Sequence, residues 1–243
     1  MKDLRGQIDA VSKKLDPSAR PVSGGEEIPG HWKGYLKQDH AMRLATAQAE
    51  LAMIAPYFPG AVAGLNATTT DAFLACTDYH GLCRFLVQTN GGRDYFTYSR
   101  VPKLFTATSH ADPWSLFAEN APRALVWVYN NVMDGLTDIY DFSGFRSSLA
   151  MASMAGEADT WMELPWYDAL SASTNTRQIV ELLSSGGGGY LLLDLNEDLS
   201  DVFEPQGLFI DVKAAISRLP QAVDLFPYLD EWMAIGLADA DPR

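Results

Sequence analysis

The chain has 243 residues, of which 47% are hydrophobic and 20% charged, a composition that fills a sizeable core and excludes a chain disordered throughout. Its formal net charge of -13 opposes binding to nucleic-acid phosphates and suits either a basic partner or simple solubility. Two cysteines do not make a disulfide framework. No run approaches the about 20 apolar residues of a membrane helix, and Met1-Lys2-Asp3-Leu4-Arg5 lacks the hydrophobic stretch of a secretory leader. The expectation is a cytoplasmic protein with no membrane contact.

Residues 1–40 read as a polar N-terminal arm, broken by Pro17, Pro21, Gly24, Gly25 and Pro29, with a frayed helix over Asp9–Leu15. Such arms move unless tied down, and Trp32, Tyr35 and Leu36 offer an apolar i, i+3, i+4 set to dock this one. Residues 41–243 read as a single domain with a long middle insertion. Ala41–Ala55 is rich in Ala, Leu and Met and predicts a helix. Thr68 and Asp71 have capping-box spacing, which predicts a helix reaching Gln88 and stopped by Asn90-Gly91-Gly92.

Tyr95–Tyr98 predicts a strand, and Asp112-Pro113-Trp114 another helix start. Ala124–Tyr129 and Leu136–Phe142 predict two strands with Asp134-Gly135 as the hairpin signal. Phe145–Ala155 and Thr176–Leu183 predict helices; Trp161–Leu170 carries no clear period. The four glycines Gly186–Gly189 then enter Tyr190–Leu195, apolar on both parities until Asp194, as in a strand buried on both faces. Gln206–Val212 predicts a strand, Lys213–Leu219 a helical extension, and Leu225–Leu237 a closing helix. Helices and strands do not alternate regularly, so the expected class is α+β, a mostly antiparallel central sheet flanked by helices.

The glycine run does not make a phosphate loop. Such a loop follows a strand and opens a helix; here the glycines precede a strand and no Gly-Lys-Ser/Thr follows. Cys76, His80 and Cys83 share one stripe of the expected helix. Zinc would need a fourth ligand that is not visible, and two small buried thiols explain the stripe as well.

Asp194, Asn196, Asp198 and Ser200 match the odd positions of a calcium loop, but Leu199 stands where glycine belongs and Pro205 where glutamate belongs. Asp138, Asp141, Glu157, Asp159 and Glu163 offer carboxylates with nothing to pin a pair together, and His31, His40 and His110 read as surface residues. No hydrolase elbow, zinc-protease helix or dinucleotide fingerprint occurs. No enzyme activity, cofactor or metal site is expected. The densest acidic patch, Asp194, Glu197, Asp198, Asp201 and Glu204, is the expected contact surface if the partner is basic, and otherwise a solubilising loop.

Gly186–Asp194 resembles the Gly-x-Gly-(Asp/Asn)-Tyr-hydrophobic-Asp segment of the SUKH superfamily. That superfamily holds fungal cell-wall-synthesis regulators and many bacterial toxin-immunity proteins. Arg84-Phe85-Leu86-Val87-Gln88-Thr89-Asn90-Gly91-Gly92 is similar to the helix end that the family carries upstream, and Leu225–Leu237 to its closing helix. The match omits the first ~40 residues and lacks the family's Leu-Pro pair, with His80-Gly81-Leu82 in that vicinity. The gap from Arg93 to Leu183 is longer than the family pattern. The resemblance implies a non-enzymatic binding protein. Its first form is an immunity protein that blocks a basic toxin domain by covering its active site. Alternatives are a regulatory scaffold of the same family and a small hydrolase with an unrecognised site.

Overall fold

The structure, a computed structural model, describes residues 4–23, 25–37, 39–90, 92–102, 113–139, 143–156, 161–185, 188–212 and 220–238. The fold is α+β, with two antiparallel sheets. The first has six strands in the order β1-β2-β3-β4-β5-β6: β1 (Arg20–Pro21), β2 (Thr69–Thr77), β3 (Gly81–Asn90), β4 (Arg93–Arg100), β5 (Asp134–Asp138) and β6 (Gly144–Phe145). The second has four in the order β10-β9-β8-β7: β7 (Ile179–Ser184), β8 (Gly189–Asp194), β9 (Gln206–Asp211) and β10 (Gln221–Asp224). The helices are α1 (Leu4–Lys14), α2 (His40–Ile54), α3 (Pro59–Thr68), α4 (Pro113–Asn120), α5 (Arg123–Asn131), α6 (Tyr167–Ser173) and α7 (Leu225–Ala238). Among the described residues, no helix is long and apolar enough to cross a membrane.

Strand periodicity divides the first sheet into two buried faces. Ala72, Leu74 and Cys76 of β2, with Leu82 and Leu86 of β3, join the main core with residues of α2, α3, α5, α7 and the second sheet. The alternate residues Phe73, Ala75, Cys83, Phe85 and Val87 face a second cluster closed by Ile8 and Val11 of α1. The N-terminal segment therefore covers a sheet face, and Arg20 and Pro21 extend that sheet opposite Cys76 and Ala75. Trp32 and Tyr35 are buried as the docking set requires, while Leu36 stays exposed.

Four Arg–carboxylate pairs sit in or against the core. Arg84 meets Glu50 at 2.9 Å, Arg43 meets Asp71 at 2.7 Å, Arg100 meets Asp134 at 3.0 Å and Arg146 meets Glu181 at 2.9 Å. Asp71 also accepts from the Gln7 amide at 2.8 Å, which ties α1 to β2 and α2. Each pair is neutral as a unit, so the excess of negative charge falls on the rest of the chain, and the other described carboxylates are mostly exposed.

Several expected elements differ, each for a physical reason. Thr68–Gln88 is not a helix but the hairpin of β2 and β3, turning at residues 78–80 into Gly81 at φ 72°. Both faces are buried, so the strands run apolar without the alternation that marks a half-exposed strand. Asp71 serves Arg43 and Gln7 rather than a helix cap.

Ala124–Tyr129 is helical. Leu125, Val128 and Tyr129 are buried at i, i+3 and i+4 while Trp127 faces out; the β-branched and aromatic content hid that period. Gly135 is not a turn residue but lies in β5 at φ 80°, where a Cβ would stand 2.5 Å from the Ser147 backbone nitrogen. Residues 145–155 run beside β7 instead of forming a helix, through Arg146 N–H to Leu182 O at 2.8 Å and Glu181 N–H to Ala152 O at 2.9 Å. Thr176–Leu183 is a single 3-10 turn followed by β7. The expected elements over Ala41–Ala55, Tyr95–Tyr98, Tyr190–Asp194, Gln206–Asp211 and Leu225–Leu237 are present.

Candidate functional site: the acidic loop after β8

The chain reverses between the antiparallel strands β7 and β8, with Ser184 opposite Tyr190, and Gly188 and Gly189 lead into β8. Gly188 takes φ 99°, a left-handed setting that L side chains rarely adopt. Its carbonyl accepts from Val212 N–H at 2.7 Å, and the Gly189 carbonyl accepts from Ser185 N–H at 2.8 Å. A Cβ on Gly189 would lie 2.9 Å from Ser185 Oγ and 3.3 Å from the Phe209 ring. Gly186 and Gly187 lie outside the described residues. The reversal places β8 between β7 and β9, with Leu191, Leu192 and Leu193 fully buried.

The loop from Asp194 to Pro205 leaves the end of this interior strand. Buried Leu195 and Leu199 root it. Leu195 N–H donates to Gln178 O, the Asn120 side-chain amide donates to Leu195 O, and Leu199 N–H donates to Asn120 O, each at 2.8 Å. At its far end Leu225 N–H donates to Pro205 O at 2.9 Å. The loop is thus held at both ends and in the middle by α4 and the start of α7.

The five sequence-predicted contact residues fall into three kinds. Asp194 is half-buried and accepts from the Asn196 backbone at 2.9 Å and side chain at 2.6 Å. Asp198 is exposed and accepts from Ser200 N–H at 2.9 Å; hydrogen bonds from Ser200 hold its carboxyl below the usual carboxylate value, with a further small push from Arg123. Asp201 pairs with Arg123 at 3.0 Å, both side chains about three-quarters exposed, a pair of little energetic weight. Glu197 and Glu204 are exposed. The loop brings four of the five to the surface and uses Asp194 to shape its own entry.

Two residues that sequence reasoning passed over complete the loop. Phe203 is 94% exposed and Val202 is 44% exposed, an apolar tip between Asp201 and Glu204. The signal was an aromatic residue inside an acidic run with no periodic apolar neighbours to bury it.

The other candidate sites dissolve. Cys76 and Cys83 sit on opposite faces of the first sheet, in separate cores. His80 lies in the turn between their strands, in ring contact with Tyr79 and Tyr98. Burial pushes the Cys76 thiol up to about 11, and the Cys83 thiol rises further for the same reason. The calcium pattern forms two local side-chain-to-backbone turns at Asp194 and Asp198 rather than a converging set. Among the described residues, no group of three or more His, Cys, Asp or Glu is placed to hold a metal ion. Asp141, Glu157, Asp159 and His110 lie outside the described residues. His31 is half-buried beside Val132 O at 3.0 Å, and His40 opens α2 next to Thr70 O. No protein-family model, curated protein or solved structure matches the chain.

Proposed function

We propose that this protein is a non-enzymatic binder of the SUKH kind, an immunity protein that neutralises a bacterial toxin domain by covering its active site. The observation that carries the reading is the course of the chain through β8. Gly188 and Gly189 lead into a buried interior strand, and the strand delivers an anchored acidic loop to the surface. Segment Arg84–Gly92 lends less than its sequence suggested: Arg84–Asn90 lies in β3, not at a helix end. The reading therefore rests on Gly186–Asp194, on the closing helix α7 and on charge.

The charge argument is physical. Glu197, Asp198, Asp201 and Glu204 occupy an eight-residue stretch of one loop, and fields from exposed charges closer than a Debye length of about 8–10 Å reinforce one another. A basic toxin approaching this end of the molecule is steered toward it, which raises the association rate more than the final affinity. The binder needs no catalytic constellation of its own, because its effect is to exclude substrate from another protein.

The test is recovery of the tagged full chain from its native cells, with mass spectrometry of what accompanies it. The expected result is one basic toxin domain in equimolar amount, held less well as salt rises. Recovery of no toxin domain, or an association indifferent to salt, contradicts the proposal.

A further inference from the structure

The acidic loop does not stand alone. Arg123, which pairs with Asp201, opens α5, and Trp127 follows it by one helical turn on the same exposed face. Trp127 is 38% exposed; its ring lies 6.4 Å from that of Tyr57, which in turn lies 5.7 Å from Phe226. Phe226 follows Leu225, the residue that holds Pro205 at the end of the loop. Asp224, exposed, stands opposite Gln206 in the β9–β10 register. The Arg123–Asp201 contact sets the loop that carries Val202 and Phe203 beside α5, which carries Trp127; Tyr57 and Phe226, both partly buried, back the Trp127 ring, and Asp201, Glu204 and Asp224 supply carboxylates at this end of the chain's fold.

We propose that this neighbourhood is a protein-docking surface in which Phe203 and Trp127 are the anchors, and that its occupant is a basic protein surface presenting an apolar socket edged by Lys or Arg. The inference rests on the binding function proposed above and adds where the contact lies and what chemistry fits it. Interfaces draw most of their energy from a few central aromatic side chains, ringed by contacts that exclude water. A Phe that is 94% exposed gains nothing in the free protein, so its apolar area is wholly available to a partner. The rim selects the partner. A second copy of the chain would bring the same carboxylates against Asp201 and Glu204 in a two-fold contact, and like charges so placed repel. A basic surface meets them with opposite sign.

The test needs no toxin. The full chain is immobilised and panned with a phage-displayed library of random peptides. Expected are enriched peptides combining Lys or Arg with large apolar residues, weakened by salt. Phe203→Ser should lower their retention about thirtyfold or more, the scale of an interface anchor. Trp127→Ser should lower it in the same direction, and Met162→Ser, another exposed apolar position, should leave it unchanged. Phe203 makes so little contact with the fold that its loss does not unfold the chain. No enrichment, enrichment of acidic peptides, or retention indifferent to Phe203→Ser overturns the inference. So does a dimer of the free chain, seen by sedimentation, that Phe203→Ser dissolves. If the peptides behave as expected while no toxin is recovered from cells, the docking surface stands and the immunity function falls; the reverse pattern spares the function and removes the surface.

Discussion

Replacing Glu50 with alanine strands a charge in the middle of the protein. Glu50 and Arg84 are 2% and 0% exposed. Arg84 Nη2 donates to Glu50 Oε1 at 2.9 Å and lies 3.6 Å from Met133 Sδ, while the Tyr35 hydroxyl donates to the other carboxylate oxygen at 2.5 Å. Removing one member of a buried pair costs about 3–5 kcal/mol, because the remaining ion keeps its desolvation penalty and loses its partner. At about 2–4 °C per kcal/mol for a chain of this size, the midpoint of thermal unfolding should fall by about 6–20 °C. Urea unfolding of Glu50→Ala, Arg84→Met and the double variant closes a double-mutant cycle. The double variant should recover part of the loss, because no ion is left stranded in the core, while the space vacated by the Glu50 side chain keeps a cavity cost. The Tyr35 hydroxyl then lacks its acceptor, at a cost of about 1–3 kcal/mol, and Tyr35→Phe should restore that part. A Glu50→Ala protein within about 1 kcal/mol of the parent would mean that Glu50 does not neutralise Arg84 in the core, because a buried guanidinium cannot lose its counter-charge so cheaply.

Two further changes read the structure elsewhere. Gly188→Ala puts a side chain on a backbone at φ 99° and should destabilise by about 1–3 kcal/mol in the same urea assay; no change would mean that the reversal into β8 takes another shape. Cys76, whose thiol burial raises from 9.0 to about 11, favours its neutral form when folded. Its contribution to stability is complete below pH 9 and lost as pH climbs toward 11. Native protein should therefore alkylate far more slowly at pH 8 than unfolded protein, and equal rates would contradict the burial.

The parts of the fold legible in the sequence are those whose side chains obey a single period. The Ala-rich α2 and the closing helix α7 bury one stripe each, and β8 declares itself by Leu191-Leu192-Leu193 between a glycine run and an acid. The β2–β3 hairpin hides in the sequence because sheet packing on both faces removes the alternation; Cys76 and Cys83 then fit a helical stripe by coincidence of spacing while belonging to two different cores. In α5 the reverse held, with β-branched residues masking a helical stripe. The acidic half of the candidate site was visible as composition. Its aromatic half was not, because Trp127 and Tyr57 reach Phe226 only through folding of segments far apart in the chain.

On the binding function proposed above, this molecule acts by occupying another protein, and a titration of the recovered toxin domain's own activity with increasing amounts of the purified chain tests that directly. Complete loss of the activity is expected at equimolar addition, with more chain needed as salt rises and still more for Phe203→Ser. A toxin that keeps its activity beside an excess of the chain, or a chain that turns over a substrate by itself, rules out an inhibitory binder.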